Sequence, residues 1–291
     1  MVQPDTLAMH LRVVSKYYTL IHLDEWVSRY QNGAPLPSPA CAITFDDGWA
    51  DNFEYAYPIL KAAQVPASIF IVTDMVGKEY QFWPGRLAAI IRHHRLPQQL
   101  FEQDAHPGIH WLLQLLPAPI AQFQPSTAAI DAIIEHAKMF SDHEVTQHVS
   151  HIETLLGFSG NSSSHTPEML SWEQINTMTE DGLIKIGSHT RSHARLNQLL
   201  PEQDMRSEIE QSSIAIKHRT GISPSLFCYP NGDHTPLAIE LVSNQYHAAC
   251  STIPGVNAPG QLELHLLKRF TMHEDISDNE SLFICRILGL F

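Results

Sequence analysis

Two adjacent carboxylates, Asp46 and Asp47, end the apolar run Cys41-Ala42-Ile43-Thr44-Phe45, and Gly48 follows them. Far downstream, the apolar run Leu183 to Ile186 opens into Gly187-Ser188-His189-Thr190-Arg191-Ser192-His193, which carries two histidines separated by three residues. Two neutral imidazoles and one carboxylate form a three-ligand set that suits zinc and leaves one coordination position for water. A second carboxylate beside such a centre has the chemistry of a general base. Neighbouring residues of an unbroken strand point to opposite faces, so both aspartates share one cleft only if the backbone turns there. Gly48 permits that turn.

The elements that must position these groups alternate along the chain. Cys41 to Phe45 has no polar face, the pattern of a parallel strand covered on both sides. Ahead of it the sequence predicts a helix capped by Asp5, a strand from Tyr18 to Leu23, and a helix capped by Asp24 that ends near Gly33. After the aspartates come an aromatic segment, Trp49 to Tyr57, a helix through Leu60 and Ala63, and a strand from Ala67 to Val72. Thr73 and Asp74, at that strand's end, read as loop caps.

Beyond residue 166, Ser171 and Gln174 form a capping box for a helix ending at Asp181-Gly182, and Pro201 opens another that stops at Gly221. Strands follow at Leu226 to Tyr229, Ala248 to Ser251 and Leu266 to Met272, with helices at Pro236 to Asn244 and Ser277 to Leu288. Sheets of this kind carry their functional loops at the strand carboxyl ends, where Asp46, Asp47, Thr73 and Asp74 fall. Between about 78 and 166 the pattern changes to helices alone, Pro84 to His94, Ser126 to Phe140 and Asp142 to Leu156, closed by Gly157 to Ser164. This stretch reads as a helical insertion, a lid or a structural cap.

The formal charge of −13 argues against a non-specific nucleic-acid or anionic-membrane binder, which needs a basic surface, and favours a neutral substrate. No apolar run is long enough to span a membrane and no leader pattern is present, so a cytoplasmic location is expected. The four cysteines, Cys41, Cys228, Cys250 and Cys285, are scattered singly, unlike a disulfide framework, and read as reduced core residues. With 18 histidines in the chain, most must be ordinary; His93, His94, His143, His148, His151 and His165 lie outside any partnered motif.

Thr44-Phe45-Asp46-Asp47-Gly48, followed by Gly187-Ser188-His189-Thr190-Arg191-Ser192-His193, resembles the first two motifs of the polysaccharide deacetylases, the NodB-homology carbohydrate esterases. Phe227-Cys228-Tyr229-Pro230-Asn231-Gly232 is similar to their third motif, Phe-Arg-Pro-Pro-Tyr-Gly, in altered form. The resemblance implies an α/β fold, a distorted or incomplete (β/α)7 barrel forming one domain over 1–291 with the helical insertion. It also implies a further strand ahead of the first helix, which this sequence does not contain.

The resemblance makes Asp47, His189 and His193 the ligands of a divalent metal, zinc first, with cobalt, nickel or iron open by ligand type. It makes Asp46 the general base, and it places an oxyanion-polarising backbone N–H at Asn231. The implied activity is removal of an N-acetyl or similar small acyl group from an amino sugar, with a carbohydrate as partner. Other amide hydrolysis on the same scaffold, such as deformylation or cyclic amide opening, stays open, as does a non-catalytic carbohydrate-binding relative. An intact base argues for an enzyme.

Where the family pattern has arginine, this chain has Cys228, and where it has tyrosine, it has Asn231; Ser251 to Asn257 stands in place of the tryptophan-bearing fourth motif. For the acid that protonates the leaving amine, His273 is the nearest candidate, with His265 and His234 behind it. Because Cys228 cannot orient Asp46 by charge, Arg269 on the late strand is expected to do so, or else to pair with Glu263 or Glu274 at the rim.

Overall fold

Helix α1 (Pro4–Val14) opens on Pro4, whose fixed φ suits the first helical position, so its N-cap is Gln3 and Asp5 falls inside the first turn. Strand β1 (Thr19–Leu20) is shorter than expected because helix α2 (Leu23–Gln31) starts at once, with His22 rather than Asp24 at its N-cap. Strand β2 (Ala40–Cys41) pairs in parallel with β1, and β3 (Ile43–Phe45) follows directly. One π-helical turn, Asn52–Ala56, then runs into α3 (Tyr57–Ala63), which leads to β4 (Ala67–Ile71). The structure, a computed structural model, describes residues 2–79, 82–93, 107–115, 126–157, 168–258, 260 and 262–290.

Two compact units divide the chain, one made of Met1–Lys78 with Pro167–Phe291 and the other of Glu79–Thr166. The second unit holds α4 (Trp83–His93), α5 (Pro107–Leu115), α6 (Thr127–Ala137) and α7 (Asp142–Leu156). It has a core of its own, with Leu87, Ile90, Leu112, Ile130, Val145, Val149 and Ile152 buried together. Ser141 and Glu144 cap α7 reciprocally, and Arg86 pairs with Glu153 where both side chains are only 14% exposed. Residues 158–164 of the expected closing link, His94 and His165 lie outside the described residues.

The first unit resumes with α8 (Trp172–Thr179), β5 (Ile184–Ser188), α9 (Glu202–Thr220), β6 (Leu226–Cys228), α10 (Pro236–Ser243), β7 (Ala248–Cys250), α11 (Glu274–Ser277) and α12 (Glu280–Ile287). Strands β3-β4-β5-β6-β7 form one all-parallel sheet in chain order, with Phe45 beside Ile69, Ile69 beside Ile186 and Cys228 beside Cys250. Leu267 adds a single parallel bridge to Cys250. In a flat sheet four strand spacings would separate β3 from β7 by roughly 19 Å. Yet Arg269, just past Leu267, hydrogen-bonds Thr44 of β3, so the sheet curls until one arginine side chain spans the gap between its two edges. The result is a distorted, partly open barrel of (β/α) type.

Two layers of apolar packing hold this curl. Outside the sheet, Ile69, Ile71 and Ile184 bury against Leu60, Ile175, Met178 and Ile216 of the helices. Inside, Phe70 packs with Leu226, Cys228, Cys250 and Leu267. A Cβ at position 187 would come within 2.4 Å of the Phe70 ring, so Gly187 is what lets that ring fill the interior.

Three further expectations need correction. Strand β3 is half-buried along its length, not covered on both faces, because it forms an edge of the five-stranded sheet. The strand expected at Leu266 to Met272 reduces to the Leu267 bridge, since the loop after β7 takes over the next bonds: Arg269 N–H donates to Ile253 O and Lys268 N–H to Asn257 Oδ1. The last helix is split, with Asn279 capping α12 through the Leu282 N–H. All four cysteines are free, Cys228 and Cys250 buried and Cys41 and Cys285 half-buried. Among the described residues no helix is long and apolar enough to cross a membrane.

Candidate metal centre and catalytic site

The backbone leaves β3 through two consecutive left-handed residues, Asp47 at φ 72° and Gly48 at φ 82°. Asp47 shares the turn that its sequence assigns to glycine alone, and this brings its carboxylate back beside Asp46. Glycine is required at 48 on two counts: the positive φ, and a Cβ that would lie 3.0 Å from Ile71 Cγ2. Trp49 then donates its indole N–H to Asp47 Oδ2 at 2.9 Å, leaving Oδ1 to face the histidines.

His189 stands at the carboxyl end of β5, only 2% exposed. Its Nδ1 lies 2.7 Å from Cys228 O, a contact that requires Nδ1 to carry a proton, so in the neutral ring Nε2 has the lone pair. Four residues on, a loop with Thr190 at φ 65° and His193 at φ 68° swings the second imidazole alongside the first. The rings sit 5.0 Å apart, and their Nε2 atoms lie 3.4 Å (His189) and 3.3 Å (His193) from the same Asp47 Oδ1.

Metal bonds of about 2.0–2.1 Å in a tetrahedral site put ligand atoms roughly 3.3 Å apart. The Asp47, His189 and His193 donors therefore have the spacing of a ligand set around one small cation, and they are gathered in one cluster. A second cluster, Asp46 with His189 and Cys228, shares a histidine with the first, but Asp46 there is already engaged by a cation of the protein itself.

That cation is Arg269. Its two terminal nitrogens donate to both Asp46 oxygens, Nη1 to Oδ1 and Nη2 to Oδ2, each at 2.8 Å. This fork-to-fork geometry is the strong form of the arginine–carboxylate contact. Further bonds from Nη1 to Thr44 Oγ1 at 3.1 Å and from Nε to Ser251 O at 3.0 Å fix the guanidinium against β3 and the end of β7. Cys228 lies under the pair, with Sγ 3.1 Å from Nη2 and 3.5 Å from Asp46 Oδ2. Glu274, the rim alternative for Arg269, instead accepts from Gln3 N–H and the Thr6 hydroxyl.

Electrostatics follow from these contacts. Burial acts to raise the Asp46 carboxyl, but the Arg269 hydrogen bonds and charge outweigh it and hold Asp46 below the ordinary carboxylate range. Burial acts the same way on Asp47, and His189 and His193 together drive it far lower. For His189 burial opposes protonation, and the two aspartates overcome it, so the ring is more basic than usual. Burial, seconded by Asp46, pushes the Cys228 thiol well up and keeps it neutral.

Asn231 is exposed at φ 55° in the 3-10 turn Pro230–Gly232, and its carbonyl accepts from the Thr252 hydroxyl at 3.3 Å. The turn's own bonds use the N–H groups of Gly232 and Asp233, not that of Asn231. His273 does not join the cluster: it is exposed, sits at the N-cap of α11, and its carbonyl accepts from the Ser277 hydroxyl. His265 Nε2 is bound to Tyr246 O at 3.0 Å, whereas His234 lies in the loop that carries Asn231, with Nδ1 2.8 Å from Gly232 O. Thr73 is buried, and Asp74 faces Arg191 at 3.3 Å.

Sequence reasoning missed Trp49 and Glu208. Glu208 was legible as a lone carboxylate on the buried face formed by Met205, Ile209, Ser212 and Ile216 of α9. The Trp49 contact has no sequence signal beyond adjacency to Asp47.

Comparison with known proteins identifies the family and the fold. The sequence model of the family described as polysaccharide deacetylase matches residues 33–110 and 125–248. A segment of 58 residues is 36% identical to YxkH of Bacillus subtilis (strain 168), provisionally named a polysaccharide deacetylase; it is 20% of this chain and spans 21% of that relative's length. Among solved structures, IcaB from Ammonifex degensii is 18% identical, with 98% of this chain and 89% of that one covered at a TM-score of 0.61. The Streptococcus pyogenes deacetylase PplD, solved in complex with acetate, is 15% identical, with 95% and 84% covered at a TM-score of 0.59. At these identities the structural likeness is one of fold.

Proposed function

Because this chain belongs to the polysaccharide deacetylase family, we propose that it hydrolyses an N-acetyl or similar small acyl amide on an amino sugar of a polysaccharide or its precursor. The ligands are Asp47, His189 and His193, the metal is zinc, and Asp46 is the general base. The observation that carries the reading is the convergence of both imidazole Nε2 atoms on one Asp47 oxygen, next to a second carboxylate held off that centre by an arginine. Acetate bound to the PplD deacetylase supports acetyl as the acyl group.

When bound, zinc supplies Lewis-acid polarisation and lowers the pKa of water to about 7. The chain's own residues do the rest. Asp46, kept ionised and aimed by Arg269, takes the proton of the attacking water. The Asn231 N–H is the donor for the carbonyl oxygen as it gains charge. With His273 exposed at the N-cap of α11, the proton collected at Asp46 is the one that goes to the departing amine. Trp49 holds Asp47 Oδ2, so that Asp47 presents a single oxygen.

The test is a panel of N-acetyl, N-formyl and cyclic amide substrates, among them N-acetylglucosamine oligomers, incubated with zinc-loaded protein while acetate and formate are measured. Acetate from the amino sugars is the expected product. Formate or ring-opened product alone would move the assignment to another amide hydrolysis on this scaffold.

A further inference from the structure

We propose that Glu208 is a positioning residue for the metal centre, its buried carboxylate filling a cradle of backbone N–H groups in the Thr190–His193 loop and thereby fixing His193 against Asp47 before an ion arrives. The inference rests on the metal-centre reading above and adds to it a residue on another element.

The two histidines are held in unlike ways. His189 is secured by its strand: its N–H donates to Ile71 O at 3.0 Å and its ring is tied to Cys228 O. His193 stands beyond the strand, at the end of a loop in which two non-glycine residues, Thr190 and His193 itself, take positive φ. A β-branched residue there is a true outlier, and such conformations persist only where surrounding contacts over-determine them.

Glu208, on the second turn of α9, supplies those contacts. Its Oε2 accepts from the N–H of Arg191 at 3.0 Å and of Ser192 at 2.8 Å, and its Oε1 accepts from the Ser192 hydroxyl at 2.8 Å. Successive N–H groups beside a left-handed residue make an anion-binding concavity, and here the anion is the protein's own. From the other side, Asp74 N–H donates to Arg191 O at 2.8 Å, so the loop is gripped at both its donors and its acceptor.

Packing does not account for this carboxylate. Glu208 is 4% exposed on a face otherwise made of Met205, Ile209, Ser212 and Ile216, where a charge is unfavourable unless fully partnered. Its partners are all in the loop between the two metal ligands. Without them Thr190 and His193 can relax from their left-handed conformations, and the His193 Nε2 leaves its place 3.3 Å from Asp47 Oδ1. Residues that orient ligands in this way typically carry about 10- to 100-fold of metal affinity.

The experiment measures Zn2+ affinity by competition with a chelating dye, and the visible absorption of the Co2+ protein, for the parent, Glu208→Gln, Ser192→Ala and Glu240→Gln. Glu240 is an exposed carboxylate of α10 and serves as the comparator. Glu208→Gln keeps the shape but turns one acceptor into a donor facing the loop; it should bind about 10- to 100-fold more weakly and shift the Co2+ bands. Ser192→Ala, which removes one of three donors, should weaken binding severalfold, and Glu240→Gln should match the parent. A merely structural role would lower the melting temperature of Glu208→Gln and leave affinity and spectrum unchanged; that result overturns the inference alone. If Glu208→Gln does not fold, Ser192→Ala decides, and parental affinity there overturns it. A parent that binds neither ion overturns the metal-centre reading and this inference together.

Discussion

Replacing Arg269 with methionine keeps much of the side chain's apolar length and deletes the fork that holds Asp46. Two charge-assisted bonds of 2.8 Å are lost, each worth about 1.5–3 kcal/mol in a favourable setting. The Arg269 side chain is 18% exposed and that of Asp46 33%, so solvent screening brings the loss below the roughly 3–5 kcal/mol of a fully buried pair broken on one side. A destabilisation of about 2–3 kcal/mol is expected. If the same ordering is needed in the transition state, turnover falls about 30- to 140-fold at about 1.4 kcal/mol per decade. The pH dependence has a definite sign: with the guanidinium gone, burial dominates at Asp46, its carboxyl rises, and the acid limb of the rate profile moves to higher pH. Arg269→Lys retains the charge without the fork, so it should leave the acid limb near its parental place while still lowering the rate. The assay is acetate release from an N-acetylglucosamine oligomer across the acid range, with metal content and thermal midpoint measured on the same preparations. Parental turnover and an unmoved acid limb in Arg269→Met would refute the reasoning.

Asp46→Asn should retain bound metal and lose roughly 10²- to 10⁴-fold in rate, because an amide cannot accept the water proton; near-parental turnover with metal in place would move the base elsewhere. The double variant His189→Ala with His193→Ala should contain no stoichiometric zinc by elemental analysis, and full occupancy would place the ion at another site. Trp49→Phe frees Asp47 Oδ2 from its indole donor and should weaken zinc by about tenfold in a chelator competition, an effect absent if the indole only packs. His10 is buried, stacked on Phe283 and 2.6 Å from Ser277 O, and burial, only partly opposed by Ser277 and Glu274, holds its pKa below the ordinary value. The unfolded chain therefore takes up this proton first, so stability is full above about pH 6.5 and is lost as pH falls from there toward the folded pKa. Thermal midpoints of His10→Phe should fall less steeply over that window than those of the parent, and parallel slopes would exclude His10 as the source.

Asp47, His189 and His193, the ligands proposed above, stand out because each follows an apolar strand run that breaks into polar residues, and strands β4 to β7 were legible for the same reason. The aspartate turn was harder to read. The sequence assigns it to Gly48, whereas Asp47 also takes φ 72°, a conformation held in the folded chain by its contacts with Trp49 and the two histidines. His273 followed from a strand drawn through to Met272; pairing stops at Leu267 because the loop around Ile253 and Asn257 captures the next N–H groups, and the chain then turns to cap α11. Glu208 acts through backbone donors, which every residue possesses, so its loop partners leave no mark on side-chain identity.

Asp46 and the guanidinium that anchors it are separated by 223 residues. At roughly 5–20 residues per second, a chain emerging from the ribosome makes its base roughly 10 to 45 s before the group that aims it. Asp47, His189, His193 and Glu208 are all made before Arg269. The proposed ligands and Glu208 are thus made while the base beside them is still unheld, and Asp46 is fixed only once the segment just past Leu267 has been made.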